Sequence, residues 1–412
     1  MHFQILPRPA VALVLGAILS GCVGDKAEFV HSVWRPPDGG AASATVYYLT
    51  DRAADRAWPG GFSKHWGDRP SCGTTLATIP AASLADQPIP TGSIRTGVTL
   101  DCGANLSGFA SQIADAARRK NCNGVLLYVH GFNTLFDGAV LRAAQLANDT
   151  QSGCVAAVFD WSSEGEIGRY IPDIEHSAYA TPLLAQFFEA LAGTHLKVDV
   201  VAHSVGDRIV LAALSAYASR PVPPQAKFIS ELVLAAGDVG ADPANNDFAH
   251  LVRDARPFVN RITIYASHGD AVLAVSAAAH GNVPRAGSLP RQDRRLEGAA
   301  PEANVDVIDA SLAPAETLGH SYFAMSYEAV SDIALVLRGV PIERRLERND
   351  VWPATLVCAP PRNMAACDAE RPHYVLKVAA RRRPDFFLRL VRRLVPLVPR
   401  IGIASFSTPS DQ

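Results

Sequence analysis

The segment Ala202-His203-Ser204-Val205-Gly206 places a serine between an apolar strand-length run, Val198–Ala202, and a helical pattern, Ile209–Tyr217. That context suits a nucleophile elbow, a strained turn that lifts the serine from the carboxyl end of a strand. Small residues two before and two after the serine let strand and helix approach closely; here they are Ala202 and Gly206. The helix adds the positive end of its dipole and an unpaired N–H. Upstream, Val129-His130-Gly131-Phe132-Asn133 follows another apolar run, Gly124–Val129. A His-Gly loop at such a place supplies one backbone donor of an oxyanion hole, and the residue after the nucleophile supplies the other. The expected donors are therefore the N–H groups of Phe132 and Val205, and His130 itself reads as a structural hydrogen bonder.

A serine nucleophile needs a base, and the base needs an acid to orient it. The chain order of such a triad is nucleophile, acid, histidine. Asp270 lies just past the strand-like Arg261–Ala266, in Ser267-His268-Gly269-Asp270. Only His280, His320 and His373 follow it. His280 falls in or just after the next helix, and His373 lies in the C-terminal part. His320, in the loop after Val305–Ile308, is the expected base. Asp238, after Glu231–Ala236, is the rival for the acid.

The elements that must position these groups alternate. Strand-like runs at Thr45–Thr50, Thr74–Ile79, Gly124–Val129, Cys154–Phe159, Val198–Ala202, Glu231–Ala236, Arg261–Ala266 and Val305–Ile308 are interleaved with helical patterns at Gly138–Asn148, Tyr179–Ala192 and Ile209–Tyr217. Continuous apolar strands alternating with helices predict an α/β fold with a mostly parallel central sheet flanked by helices. Residues 288–304 read as a long surface loop. After about residue 340 the rhythm stops, so 341–412 are expected to form a separate C-terminal extension.

Taken together, VYYLTDR, VHGFN, FDWSSEG, the Tyr170 and Asp173 pair, AHSVGDRIVLAAL, LAAGDVGAD, IYASHGDAVLAVS with PRAG, and LGHSYF resemble the DUF900-type alpha/beta-hydrolase family, in order, over residues 44–340. The resemblance implies the alpha/beta-hydrolase fold and an esterase- or lipase-like serine hydrolase that needs no cofactor and no metal. Asp207 stands where that family commonly has Asn, and Gly237 replaces a usual Pro before Asp238. Asp207 could favour the N-terminus of the elbow helix or tune the surroundings of the serine.

The first 21 residues read as an export signal. Their end, Leu19-Ser20-Gly21-Cys22, resembles the lipobox of bacterial lipoproteins, which implies a lipid on Cys22, a tether over residues 22–43 and, with Val23 next, the periplasmic face of the outer membrane. The six other cysteines, at 72, 102, 122, 154, 358 and 367, fit disulfides in an exported protein. Proximity suggests Cys72–Cys102, Cys122–Cys154 and Cys358–Cys367. The net charge of −2 argues against a nucleic-acid binder. It conceals a basic stretch, residues 381–400, in which DFFLRLVRRLV forms a basic amphipathic helical pattern suited either to an anionic membrane or to docking on the core. The expected substrate is an ester or lipid-like small molecule. The competing readings are amide or thioester hydrolysis and a catalytically silent envelope scaffold.

Overall fold

The computed structural model describes residues 42–79, 92–151, 155–166, 169–220, 227–242, 247–288, 304–313, 318–346, 356–358 and 374–377. The expected signal at 1–21, all but the last two residues of the expected tether at 22–43, Cys22 with the lipid expected on it, the loop body at 289–303 and the basic segment 381–400 lie outside them; residues 42 and 43 open the first strand instead. The strands are β1 (Ala42–Ala54), β2 (Phe62–Ile79), β3 (Ser93–Asp101), β4 (Gly124–Val129), β5 (Val155–Asp160), β6 (Lys197–His203), β7 (Ile229–Ala235), β8 (Val259–Ala266), β9 (Val305–Asp309), β10 (Leu356–Cys358) and β11 (Tyr374–Leu376). The helices are α1 (Leu106–Arg119), α2 (Phe136–Thr150), α3 (Tyr170–Ala192), α4 (Val205–Ala218), α5 (Asp247–Ala255), α6 (Ala271–Ala279), α7 (Tyr322–Met325), α8 (Tyr327–Leu337) and α9 (Ile342–Arg345). None is long and apolar enough to cross a membrane.

All eleven strands form one sheet, ordered β10-β11-β9-β8-β7-β6-β4-β5-β1-β2-β3. Every pairing from β11 across to β1 is parallel. The two edges are antiparallel. The expected mostly parallel α/β sheet is therefore what the chain forms, and β4 (GVLLYV) is apolar throughout because both of its faces are covered. In β4, Val125, Leu127 and Val129 pack with α1, α3, α4 and α5. Leu126 and Tyr128 pack on the other face with α2 and α8. Neighbouring strands run the same way, so their carboxyl ends, and the loops that leave them, gather at one pole of the sheet.

Several elements depart from expectation. β3 is an edge strand with no buried residue, so its sequence, SIRTGVTLD, carries no apolar signature. The buried face of α1 is largely alanine around Phe109 and Ile113, a muted pattern. α3 starts at Tyr170 rather than Tyr179, because its first turns bury polar groups, Asp173 and Ser177, in place of apolar ones. Residue 340 is not a boundary in the fold. Ile342, Leu356 and Leu376 are in the core, and β11 and β10 extend the sheet beyond β9. Both strands are only three residues long, too short to register as a periodic pattern. Cys72 and Cys102 form the expected disulfide, with Cα atoms 5.8 Å apart, across the β2–β3 edge. Cys122 is also disulfide-bonded; Cys154 and Cys367 lie outside the described residues.

Candidate active site

Ser204 caps α4 at the carboxyl end of β6 with φ +57° and ψ −119°. A side chain costs energy in that region, and such strain persists only where the surroundings enforce it. Here three main-chain bonds do so: the Ser204 N–H donates to Ala235 O at 2.9 Å, and the Asp238 and Asp207 N–H groups donate to Ser204 O at 3.0 and 3.2 Å. Gly206 is needed because a Cβ there would lie 2.5 Å from Val129 O. Gly131 faces the serine; a Cβ on it would lie 2.7 Å from Ser204 Cβ. The His-Gly loop and the elbow are thus in contact, as the motif pair requires. Neither the Phe132 N–H nor the Val205 N–H donates to another group among the described residues.

The loops after β8 and β9 are tied together, since the Ala271 N–H donates to Leu318 O at 2.9 Å. This brings His320 to Asp270, with Nδ1 2.7 Å from Asp270 Oδ2. The other oxygen, Oδ1, caps α6 by accepting the Leu273 N–H at 3.0 Å. The carboxylate is therefore held from two sides. An Nδ1–H donated to it leaves Nε2 with a lone pair. Asp270 is buried and His320 nearly so. His320 lies beside the serine's strand end: its ring centroid is 4.7 Å from that of His203. Burial, together with the proximity of His320, pushes the His203 pKa well down, so His203 is neutral.

Asp238 is committed elsewhere. Its Oδ1 accepts from Arg285 Nε at 2.5 Å and from Ser276 Oγ at 2.7 Å. Its Oδ2 accepts from the Tyr170 hydroxyl at 2.6 Å. Burial would raise its pKa, but the Arg285 charge and these hydrogen bonds outweigh burial and lower it. Asp207 has no hydrogen-bond partner for either oxygen among the described residues. Burial, with the Asp238 charge adding, pushes its pKa well up. Its surroundings thus favour the protonated form over a charge at the α4 N-terminus.

His130 is structural, as its position suggested. It is fully buried, its Nε2 accepts the Trp161 N–H at 3.1 Å, and its ring stacks on Trp161 at 5.2 Å. Sequence reasoning assigned no role to Arg52, which turns out to clamp the same loops. It donates to Asp160 Oδ2 (2.8 Å), Trp161 O (2.7 Å), Ser163 O (2.8 Å) and Thr134 O (2.8 Å). The signal was its place in VYYLTDR, at the carboxyl end of β1. Glu164, Asp173 and His176 lie close enough together to hold an ion. Their atoms have protein partners already: Arg169 forks onto Glu164, Ser163 Oγ and the Glu164 N–H donate to Asp173, and His176 Nδ1 meets Ser162 O.

A family model described as alpha/beta hydrolase of unknown function (DUF900) matches residues 107–338. No curated protein matches the chain. Among solved structures, it is similar to an esterase of Pyrobaculum calidifontis, at 11% identity and a TM-score of 0.32, covering 81% of this chain and 92% of that one. For carboxyl esterase 2 of Tuber melanosporum the values are 13%, 0.33, 82% and 98%. For esterase B of Lactobacillus rhamnosis, in a C6-C4 SN3 inhibited form, they are 10%, 0.35, 82% and 96%.

Proposed function

The chain belongs to the DUF900 family of alpha/beta hydrolases, and from that premise we propose that it is a serine hydrolase of carboxylic esters, held at the bacterial cell envelope. The observation that carries the reading is the 2.7 Å pair of His320 Nδ1 and Asp270 Oδ2, set beside a serine on a strained elbow. In this mechanism the lone pair of His320 Nε2 takes the Ser204 hydroxyl proton as Oγ attacks the ester carbonyl. Asp270 holds the tautomer and offsets the imidazolium charge. The tetrahedral oxygen turns towards the Phe132 and Val205 N–H groups, each such donor lowering the barrier by about 3 kcal/mol. His320 then gives its proton to the leaving alcohol, and the acyl group stays on Ser204. Water, deprotonated by the same histidine, releases the acid and restores the serine.

The envelope part rests on sequence alone: the lipobox-like end at Cys22, and the basic amphipathic pattern within residues 381–400. An acyl chain and a basic patch reinforce each other at an anionic surface. A lipid-like ester presented at that surface is the substrate this arrangement fits best. Turnover of p-nitrophenyl esters of graded chain length by the wild type, absent in Ser204→Ala, is the expected result. Turnover of anilides or thioesters alone would favour the amide or thioester reading. A folded protein that turns over none of these favours a silent scaffold. Radiolabelled palmitate incorporated by the wild type and not by Cys22→Ser is the expected sign of the anchor.

A further inference from the structure

The Phe132 N–H has a place in this mechanism only if its loop is fixed relative to Ser204, and the structure contains a buried device that joins the two. The Phe132 ring meets the Tyr170 ring edge-on, with centroids 5.3 Å apart. Tyr170 opens α3, and its hydroxyl donates to Asp238 Oδ2 at 2.6 Å while lying 2.7 Å from Ser276 Oγ. Ser276 donates to Asp238 Oδ1 at 2.7 Å, so the two hydroxyls serve different oxygens. Arg285 neutralises the carboxylate through Nε at 2.5 Å and reaches the Asp238 carbonyl through Nη2 at 3.1 Å. Asp238, Ser276 and Arg285 are each at most 3% exposed. The main chain of Asp238 completes the link, because its N–H holds Ser204 O. Ser276 sits on α6, the helix that Asp270 caps. One buried cluster therefore touches the oxyanion loop, the elbow and the helix of the acid.

We propose that Tyr170, anchored by Asp238, Ser276 and Arg285, is a positioning residue that fixes the Phe132 N–H over Ser204. This rests on the serine-hydrolase reading. Tyr170 touches none of the reacting atoms; it acts through the Phe132 ring. Its loss should weaken binding of the tetrahedral state and leave ester binding and the proton-transfer pair alone.

The test uses the full chain and two variants, Tyr170→Phe and Phe132→Leu. The first keeps the ring and removes the anchoring hydroxyl; the second keeps the N–H and removes the ring contact. Each is expected to lower kcat about tenfold, since a displaced donor gives up part of the effect of a deleted one. KM and the shape of the pH–rate profile should stay unchanged. The affinity of an alkyl trifluoromethyl ketone, which forms a tetrahedral adduct, should fall in parallel with kcat. The double variant should lose little more than either single one. Unchanged kcat and ketone affinity in the variants would overturn the inference. So would a fall in kcat with ketone affinity intact, or losses that multiply in the double variant. If Tyr170→Phe does not fold, Phe132→Leu and Ser276→Ala carry the same comparison. A wild type that neither hydrolyses esters nor reacts with a fluorophosphonate overturns the hydrolase reading, and this inference with it; a wild type that does both leaves the variants as the test of the inference alone.

Discussion

The turns that follow β7 and β8 look alike in sequence: each carries a buried aspartate just beyond a parallel strand, at the pole where Ser204 emerges. Their partners separate them. Asp270 faces His320, and its second oxygen caps a helix. Asp238 faces Arg285 and two hydroxyls, and both of its oxygens are taken. A carboxylate sealed to a guanidinium cannot orient an imidazole. The position of an acid at a strand end thus decides little; the group it meets decides whether it moves protons or holds loops. Asp207 is the third case, a buried acid with no hydrogen-bond partner among the described residues, and burial favours its protonated form.

Exchanging each acid for its amide is the sharpest way to break this comparison. Asp270→Asn should lower kcat by about 10⁴-fold, because the amide favours the wrong imidazole tautomer. Its melting temperature should change little; steady-state kinetics beside a thermal melt check both. Equal activity in Asp270→Asn and the wild type would remove Asp270 from the triad. Asp238→Asn should chiefly cost stability, with no more than the roughly tenfold fall in kcat expected of Tyr170→Phe. It leaves the Arg285 charge buried and unpaired, which costs about 3 kcal/mol of stability or more. Denaturant unfolding measures that loss. A stable, inactive Asp238→Asn protein would reverse the two assignments.

Two smaller effects extend the comparison to acids without a strong partner. Glu231 and Asp199 lie side by side in register at the opposite pole of the sheet. Burial, with Asp199 adding, raises the Glu231 pKa from 4.5 to about 7, against the pull of Arg261. Because the folded state holds this proton more tightly, stability is greatest below the unfolded value and falls as pH rises from 4.5 towards 7. Glu231→Gln should reduce that slope, leaving the part contributed by buried Asp51, Asp149 and Asp199, and stabilise the protein at pH 8 by about 2 kcal/mol. Asp207→Asn has the same sign: equal stability at pH 4, higher stability in neutral and basic buffer, and unaltered kcat. The pH dependence of urea unfolding reads both. A destabilised Asp207→Asn protein at pH 8 would mean that the carboxylate is charged after all.

Much of the site was legible because its signals are local. The small residues around Ser204, the glycine after His130 and the strand ends before Asp270 and His320 are each set by a few adjacent positions. The sheet was legible where strands are buried on both faces, as in GVLLYV. It was not where a strand lies at an edge, as in β3, or is three residues long, as in β10 and β11. The sequence preference for Asp270 over Asp238 rests on strand-end position and chain order alone, and the contacts that separate the two acids are not visible there. Those contacts depend on Tyr170, Ser276 and Arg285, which are brought together from three separate elements by the packing of α3 and α6 against the end of the sheet. The raised pKa of Asp207 likewise comes first from burial, with the Asp238 charge adding, and both depend on the folded chain.

The central claim is that Ser204 is an activated nucleophile, and its most direct test is the mass of the intact protein after treatment with a fluorophosphonate. One adduct is predicted, located by peptide mapping to the segment carrying Ser204, absent from Ser204→Ala and formed far more slowly in Asp270→Asn. A folded wild-type protein that gains no adduct, or an adduct that persists in Ser204→Ala, would contradict it.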